Sequence, residues 1–182
     1  MTDARNASAA PRCAPTGTRV LGIDPGLSGG WALVDDVGAL IGAGHFPTHQ
    51  VRKNGKASTQ LDGFALAAEL FAADATHAFV EAVSSRPRQA GQFQFGLNCG
   101  LIHGILHALA VPFELVAPAS WKSIYGIRRT DDDTKRDMKS EARQRAADIF
   151  PHHAKRFARV KDDGVAEAAL IAFYGLCRLS RN

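Results

Sequence analysis

Cysteine is scarce in this sequence, and long apolar runs are missing. The 182 residues include only Cys13, Cys99 and Cys177, an odd number whose spacing fits neither a disulfide framework nor a zinc motif. Few cysteines favour a reducing compartment. No apolar run reaches the roughly 18 residues that a membrane span needs. We therefore predict no membrane association.

The chain has enough apolar residues for one folded domain. Hydrophobic residues make up 46% of the sequence, which suits a single globular core and leaves little room for a second. Residues 1–17 are rich in Ala, Pro, Ser, Thr and Arg and lack the apolar segment of a secretory signal. We predict a disordered tail over 1–17 and a folded domain over 18–182.

The net charge of +4 is mild, but the positive charge is unevenly distributed. Between Trp121 and Lys161 there are 12 Lys and Arg against 6 Asp and Glu, whereas the rest of the chain holds 10 against 12. Clustered positive charge is typical of proteins that bind polyanions. A solvated helical face would give the same pattern, so charge alone leaves both interpretations open.

Apolar patterning predicts an α/β fold with a mixed five-stranded sheet and helices on both faces. The predicted strands are 18–24, 30–34, 39–45, 77–83 and 113–117. The predicted helices are 61–73, 92–110, 118–125, 134–150 and 163–179. Residues 49–58 are polar and basic, and we expect a loop there.

Several carboxylates lie in strongly apolar surroundings. Asp24 ends the first strand, and Glu81 lies within an apolar strand, where Glu is disfavoured. Asp163 and Glu167 begin the last helix four residues apart, so they share one face. Asp162 points about 100° away, and we keep it as the reserve candidate because helix starts are poorly fixed by sequence.

Each acid also has a structural explanation. Asp24 could cap the turn before Gly26, and Asp163 could favour the positive end of a helix dipole. Together, however, they form an oxygen-rich set suited to Mg²⁺ or Mn²⁺. Two such ions can activate water and stabilise the leaving oxygen in phosphodiester cleavage. The set therefore predicts a metal-dependent catalytic site.

Three motifs resemble those of RuvC-type Holliday junction resolvases, particularly phage-encoded proteins and the plant chloroplast enzyme. They are the opening strand at 21–26 (LGIDPG), the second acidic strand at 80–82 (VEA) and the final helix at 161–168 (KDDGVAEA). The resemblance covers about Arg19 to Leu179. It departs from the bacterial form, whose final helix carries two acids three apart, or a His and an acid. That spacing leaves the fourth ligand open.

The resemblance implies an RNase H-like nuclease that acts on branched DNA. It implies a homodimer that makes paired symmetric nicks in a four-way junction. It also implies two Mg²⁺ or Mn²⁺ ions, with Asp24 bridging them and Glu81, Asp163 and Glu167 completing the ligand set. A cytoplasmic, nucleoid-associated or phage-encoded protein is expected, with an organelle still open. Other branched DNA, RNA–DNA hybrids and non-catalytic junction binding are the alternatives.

Basic and aromatic residues near these motifs are candidates for DNA contacts. Lys suits a contact to the phosphate backbone, and an aromatic side chain can stack on a base. The predicted DNA-binding set is Arg86, Arg88, Phe93, Phe95, Lys122, Lys135, Lys139 and Arg143. Gly96, Gly100, Gly104 and Ala108 form a small-residue stripe, which indicates close approach by a partner or by the sheet beneath.

Overall fold

The computed structural model describes residues 17–53, 56–82, 91–127 and 135–181, with the backbone alone for residues 53, 56 and 135–137. Apart from Gly17, the predicted N-terminal tail lies outside these ranges. Within them, no helix is both long and apolar enough to cross a bilayer.

Five of the described strands come first, helices and strands then alternate, and helices follow. The strands are β1 (Val20–Asp24), β2 (Gly30–Val34), β3 (Leu40–His45), β4 (Thr48–Lys53), β5 (Lys56–Leu61), β6 (His77–Glu81) and β7 (Phe113–Val116). The α-helices are α1 (Gly63–Ala73), α2 (Gln92–Ala108), α3 (Pro118–Ile124), α4 (Lys135–Ile149) and α5 (Asp163–Leu179). Two 3₁₀ helices, Pro151–Phe157 and Val160–Asp162, connect α4 to α5.

A mixed five-stranded sheet in the order β3-β2-β1-β6-β7 organises the domain. The pairs β3–β2 and β2–β1 are antiparallel, and the pairs β1–β6 and β6–β7 are parallel. In register, Ile23 lies beside Val80, so β1 and β6 end at the same edge of the sheet. That edge therefore receives both Asp24 and Glu81.

Alternating residues of the strands build a core on each face of the sheet, as period-2 side-chain alternation requires. On one face, Val20 and Phe79 pack in the core that contains α5 residues such as Leu170. On the other face, Leu21 and Ile23 belong to a core completed by residues of α1 and α2. The predicted architecture of helices on both faces is confirmed.

Glycines let α5 lie very close to the sheet. A Cβ added at Gly22 on β1 would come within 2.1 Å of the carbonyl oxygen of Ala168. A Cβ at Gly164 would meet the backbone of Ser28 and Gly29, at 2.5 Å from each. Because backbone cannot yield as a flexible side chain can, glycine at these positions fixes α5, and its first turn, against β1.

One prediction of local structure was wrong. The expected loop over 49–58 is a two-stranded antiparallel ribbon, β4–β5, separate from the main sheet. Its Val, Thr and Ser residues suit strands, and the central Asn-Gly dipeptide is typical of a two-residue hairpin turn. Length and polarity favoured a loop, whereas cross-strand pairing such as the Gln50–Thr59 side-chain hydrogen bond (2.8 Å) stabilises the ribbon.

Candidate active site

Four carboxylates come together where β1 and β6 end and α5 begins. Asp24 is the last residue of β1, and Glu81 is the last residue of β6. Asp163 and Glu167 occupy the first two turns of α5 and are buried, at 8% and 7% exposure. The parallel register and the glycine contacts of α5 place these acids at one edge of the sheet.

The short helix α3 brings two donors to these acids. The indole Nε1 of Trp121 donates to Glu81 Oε1 at 3.1 Å, and the ring is fully buried. Lys122 Nζ lies 3.0 Å from Glu167 Oε1 and 3.9 Å from Glu81 Oε1. The same ammonium group stands 4.8 Å from the centroid of the Trp121 ring. One ammonium group therefore bridges acids from β6 and α5.

Helix α4 supplies the other two basic side chains. Lys139 Nζ lies 3.3 Å from Asp163 Oδ2, and the guanidinium group of Arg143 hydrogen-bonds Asp163 Oδ1. Among the described residues, the ion pairs reach Glu81, Asp163 and Glu167 but not Asp24. Three cations thus face four carboxylates.

The excess of negative charge shows in the electrostatics of the strand acids. Burial, with the nearby carboxylates of Glu167 and Glu81, raises the pKa of Asp24 to about 7. Burial and Glu167 also raise the pKa of Glu81, against the opposing effects of Lys122 and Trp121. A bound cation would stabilise the charged form of such an acid, which burial and the neighbouring acids disfavour.

Asp24, Glu81 and Glu167 are close enough to interact, but the four acids do not form a finished metal site. Across ranges 17–53, 56–82, 91–127 and 135–181, no three Asp, Glu, His or Cys side chains are placed to hold an ion as they stand. Lys122, Lys139 and Arg143 lie among the carboxylates that we predicted to hold two metal ions. The donor set still fits Mg²⁺ or Mn²⁺, since hard oxygen ligands surround one uncompensated charge.

The reserve candidate, Asp162, belongs to a different cluster. Its side chain is buried and accepts hydrogen bonds from the backbone N–H and the guanidinium group of Arg159, all at 3.0 Å. His45 Nε2 lies 3.1 Å from Asp162 Oδ1. Burial alone would raise the pKa of Asp162, but these bonds outweigh it and hold the pKa below its usual value. Asp162 therefore faces away from the four acids.

Comparison with solved structures identifies the fold. Thermus thermophilus RuvC in complex with Holliday junction substrate superimposes with a TM-score of 0.54 at 15% identity, over 86% of this chain and 91% of that one. The fold is that of RuvC. A second T. thermophilus RuvC structure (TM-score 0.45, 18% identity) covers 87% of this chain and 95% of its own. The yeast mitochondrial Holliday junction resolvase Ydc2 (TM-score 0.45, 17% identity) covers 91% and 80%.

Sequence comparison adds nothing to this RuvC-like assignment. No protein-family model matches the chain, and no curated protein matches it. At 15% identity, the likeness to the first of these structures shows the fold, and the predicted RNase H-like α/β class is confirmed.

The predicted DNA-binding residues fall into three groups on the RuvC-like fold. Lys122, Lys139 and Arg143 point into the carboxylates. Phe93 is 84% exposed at the start of α2, and Phe95 is half-buried. Two residues apart on a helix, the two rings differ in exposure as their spacing requires. Arg86, Arg88 and the side chain of Lys135 lie outside the described residues.

Sequence reasoning did not identify the side chains that hydrogen-bond to Glu81 and to Asp162. The bonds from Trp121 to Glu81 and from His45 to Asp162 join residues 40 and 117 positions apart, so no local pattern reveals them. Arg159, three residues before Asp162, was the one signal near in sequence. Arg159 directly precedes a short turn that leads into the acid-rich start of α5. An Arg in that position can cap an acid such as Asp162.

Proposed function

We propose that this protein is a metal-dependent, structure-specific endonuclease that resolves four-way DNA junctions by paired symmetric nicks. The observation that carries the proposal is the burial of Asp24 and Glu81 beside Glu167: burial and the neighbouring carboxylates raise the pKa of both strand acids. Packing of the core does not explain why carboxylates that disfavour one another's charge lie together. A binding site for divalent cations would explain it.

In this proposal Asp24, Glu81, Asp163 and Glu167 hold two Mg²⁺ or Mn²⁺ ions. The bound ions would activate a water molecule and stabilise the leaving oxygen of the scissile phosphodiester. Lys122, Lys139 and Arg143 would exchange their carboxylate partners for the phosphates of DNA. Because ammonium and guanidinium groups attract phosphate strongly, they would orient the strand beside the acids.

The choice of substrate rests on the fold and on the surface charge. The solved RuvC with a TM-score of 0.54 is bound to a Holliday junction substrate. The ribbon β4–β5 of this chain contains Arg52, Lys53 and Lys56 and no acid between Thr48 and Leu61. The ribbon starts three residues after His45. In the main sheet His45 pairs with Gly30, and Gly30 pairs with Asp24, so the ribbon begins near the edge that carries Asp24. Such a ribbon suits DNA phosphates beside the cut site.

Paired nicks require two copies, and α2 offers a surface for the second copy. Phe93, Leu97 and Leu101 are 84%, 52% and 36% exposed on this helix. A Cβ added at Gly96, Gly100 or Gly104 would meet nothing within 4 Å among the described residues, so the sheet does not occupy the small-residue stripe. We infer that α2 packs against α2 of a second copy, since small residues permit close approach of two helices.

Substitution of Asp24 tests the nuclease proposal. We expect Asp24→Asn to abolish nicking of a synthetic four-way junction in Mg²⁺ while binding persists, because an amide oxygen is a poor substitute for a carboxylate that would hold Mg²⁺. Junction, fork and RNA–DNA hybrid substrates in competition would establish which one is preferred. Nicking by the variant at the wild-type rate would refute the proposal, and tight binding by the wild type without cleavage in Mg²⁺ or Mn²⁺ would favour a non-catalytic junction-binding protein.

A further inference from the structure

We propose that Trp121 is a positioning residue that holds the Glu81 carboxylate in the orientation needed to bind a divalent metal ion. The inference rests on the proposed function, because it requires Glu81 to be a metal ligand. Trp121 touches neither metal nor DNA in this role. It acts only through the hydrogen bond from its indole N–H to Glu81 Oε1.

The indole is held rigidly in place. Trp121 is fully buried, and its ring packs edge-on against Tyr125, with ring centroids 6.4 Å apart. The hydroxyl of Tyr125 donates to the backbone oxygen of Leu170 on α5 at 2.8 Å. Helix α3 is thereby anchored to the same helix that carries Asp163 and Glu167. A donor fixed in this way can constrain a carboxylate more firmly than a mobile side chain can.

The constraint matters because Glu81 has several rotatable bonds and a competing partner. Trp121 and Lys122 both approach Oε1, at 3.1 and 3.9 Å. With Oε1 held by a fixed donor, fewer orientations are open to the carboxylate, and Oε2 stays available to a metal ion. Lys122 alone would not restrict the carboxylate in this way, since an ammonium group on a flexible stem can donate in many geometries.

The chain contains a matched control for this bond. Its other tryptophan, Trp31, donates its indole Nε1 to Glu69 Oε2 at 2.9 Å, on the face of the sheet covered by α1 and α2. The two bonds have the same chemistry and nearly the same length. Only the Trp121 bond involves one of the four acids of the candidate site.

Metal titration of the full chain without DNA tests the inference. We expect Trp121→Phe, which keeps an aromatic ring but loses the donor, to raise the dissociation constant for Mn²⁺ about 10-fold in calorimetry. We expect Trp31→Phe to stay within about 2-fold of the wild type, since its bond lies outside the site. Unchanged Mn²⁺ affinity in Trp121→Phe, or equal losses in the two variants, would overturn the inference.

A third variant separates this inference from the proposed function. Glu81→Gln should weaken Mn²⁺ binding, and adding Trp121→Phe to it should weaken binding no further. If Glu81→Gln alone binds Mn²⁺ normally, the ligand assignment fails and the positioning role fails with it. If Glu81→Gln weakens binding but Trp121→Phe does not, only the positioning role is wrong. Should Trp121→Phe not fold, benzothienylalanine at 121 retains the ring shape without the N–H and gives the same comparison.

Discussion

Two neighbouring residues, Asp162 and Asp163, show opposite uses of a buried carboxylate. Asp162 accepts hydrogen bonds from Arg159 and pairs with His45, and its pKa lies below the usual value. Asp163 pairs with Lys139 and Arg143, beside a site in which Asp24 has no ion pair among the described residues. The first cluster satisfies its charge and fixes the start of α5. The second leaves the charge of Asp24 unpaired, which suits the binding of a cation.

The largest effect that would sharpen this comparison is on cleavage. We expect Asp163→Asn to lower the rate of junction nicking by at least about 100-fold, because it removes a metal ligand. We expect Asp162→Asn, in the adjacent position, to retain nicking within about 10-fold of the wild type, because it changes no ligand. Single-turnover nicking of a synthetic four-way junction at saturating Mg²⁺ measures both rates. A larger loss of nicking rate in Asp162→Asn than in Asp163→Asn would exchange the roles that we assign to the two acids.

The free energy of unfolding should depend on the Asp162 cluster. Asp162→Ala should lower the free energy of unfolding by about 3 kcal/mol, since it leaves the buried partners of a satisfied carboxylate unpaired. Asp148→Ala, which removes an exposed acid of α4 bonded to Gln144, is the matched control and should change it by less than about 0.5 kcal/mol. Urea denaturation without metal measures both. Equal small losses would show that the Asp162 cluster does not stabilise the start of α5.

A smaller effect concerns pH. Because the pKa of Asp24 is raised from 3.8 to about 7, the folded chain binds this proton more tightly than the unfolded chain does. The resulting stabilisation is fully present below about pH 4 and is lost as pH rises to about 7. In EDTA, Asp24→Asn should therefore raise the free energy of unfolding by about 1–2 kcal/mol at pH 8 and by less at pH 5. A gain that is equal at the two pH values would contradict the burial of this charge.

Periodicity was sufficient to predict the sheet and the helices on both of its faces, whereas the assignment of the four acids to a metal site stays a prediction. The α5 bounds, Asp163–Leu179, agree with the predicted 163–179 because Ala-rich apolar patterning is unambiguous there. The ribbon β4–β5 was missed because its residues are polar and its stability comes from cross-strand pairing. Sequence left open which of Asp162 and Asp163 lies with the other acids, because the answer depends on the contacts of Asp162 with Arg159 and His45. A contact between residues 117 positions apart leaves no local pattern.

The basic side chains within the site were predicted only in part. Lys122, Lys139 and Arg143 were selected for DNA phosphates, yet in the folded chain they pair with the acids. Sequence made Lys139 and Arg143 candidates for DNA contacts, but it could not show that they meet Asp163 on α5. We expect this pairing to compensate Glu81, Asp163 and Glu167, but not Asp24, until phosphate or a metal ion competes for the same groups.

A crystal of the full chain soaked in Mn²⁺ and measured by anomalous scattering tests the central claim most directly. The account predicts Mn²⁺ between Asp24, Glu81, Asp163 and Glu167, with Lys122 and Arg143 displaced from their carboxylate partners and the Asp162 cluster unchanged. Mn²⁺ bound at Asp162, or the four acids still paired with the basic side chains at millimolar Mn²⁺ and no ion among them, would contradict it.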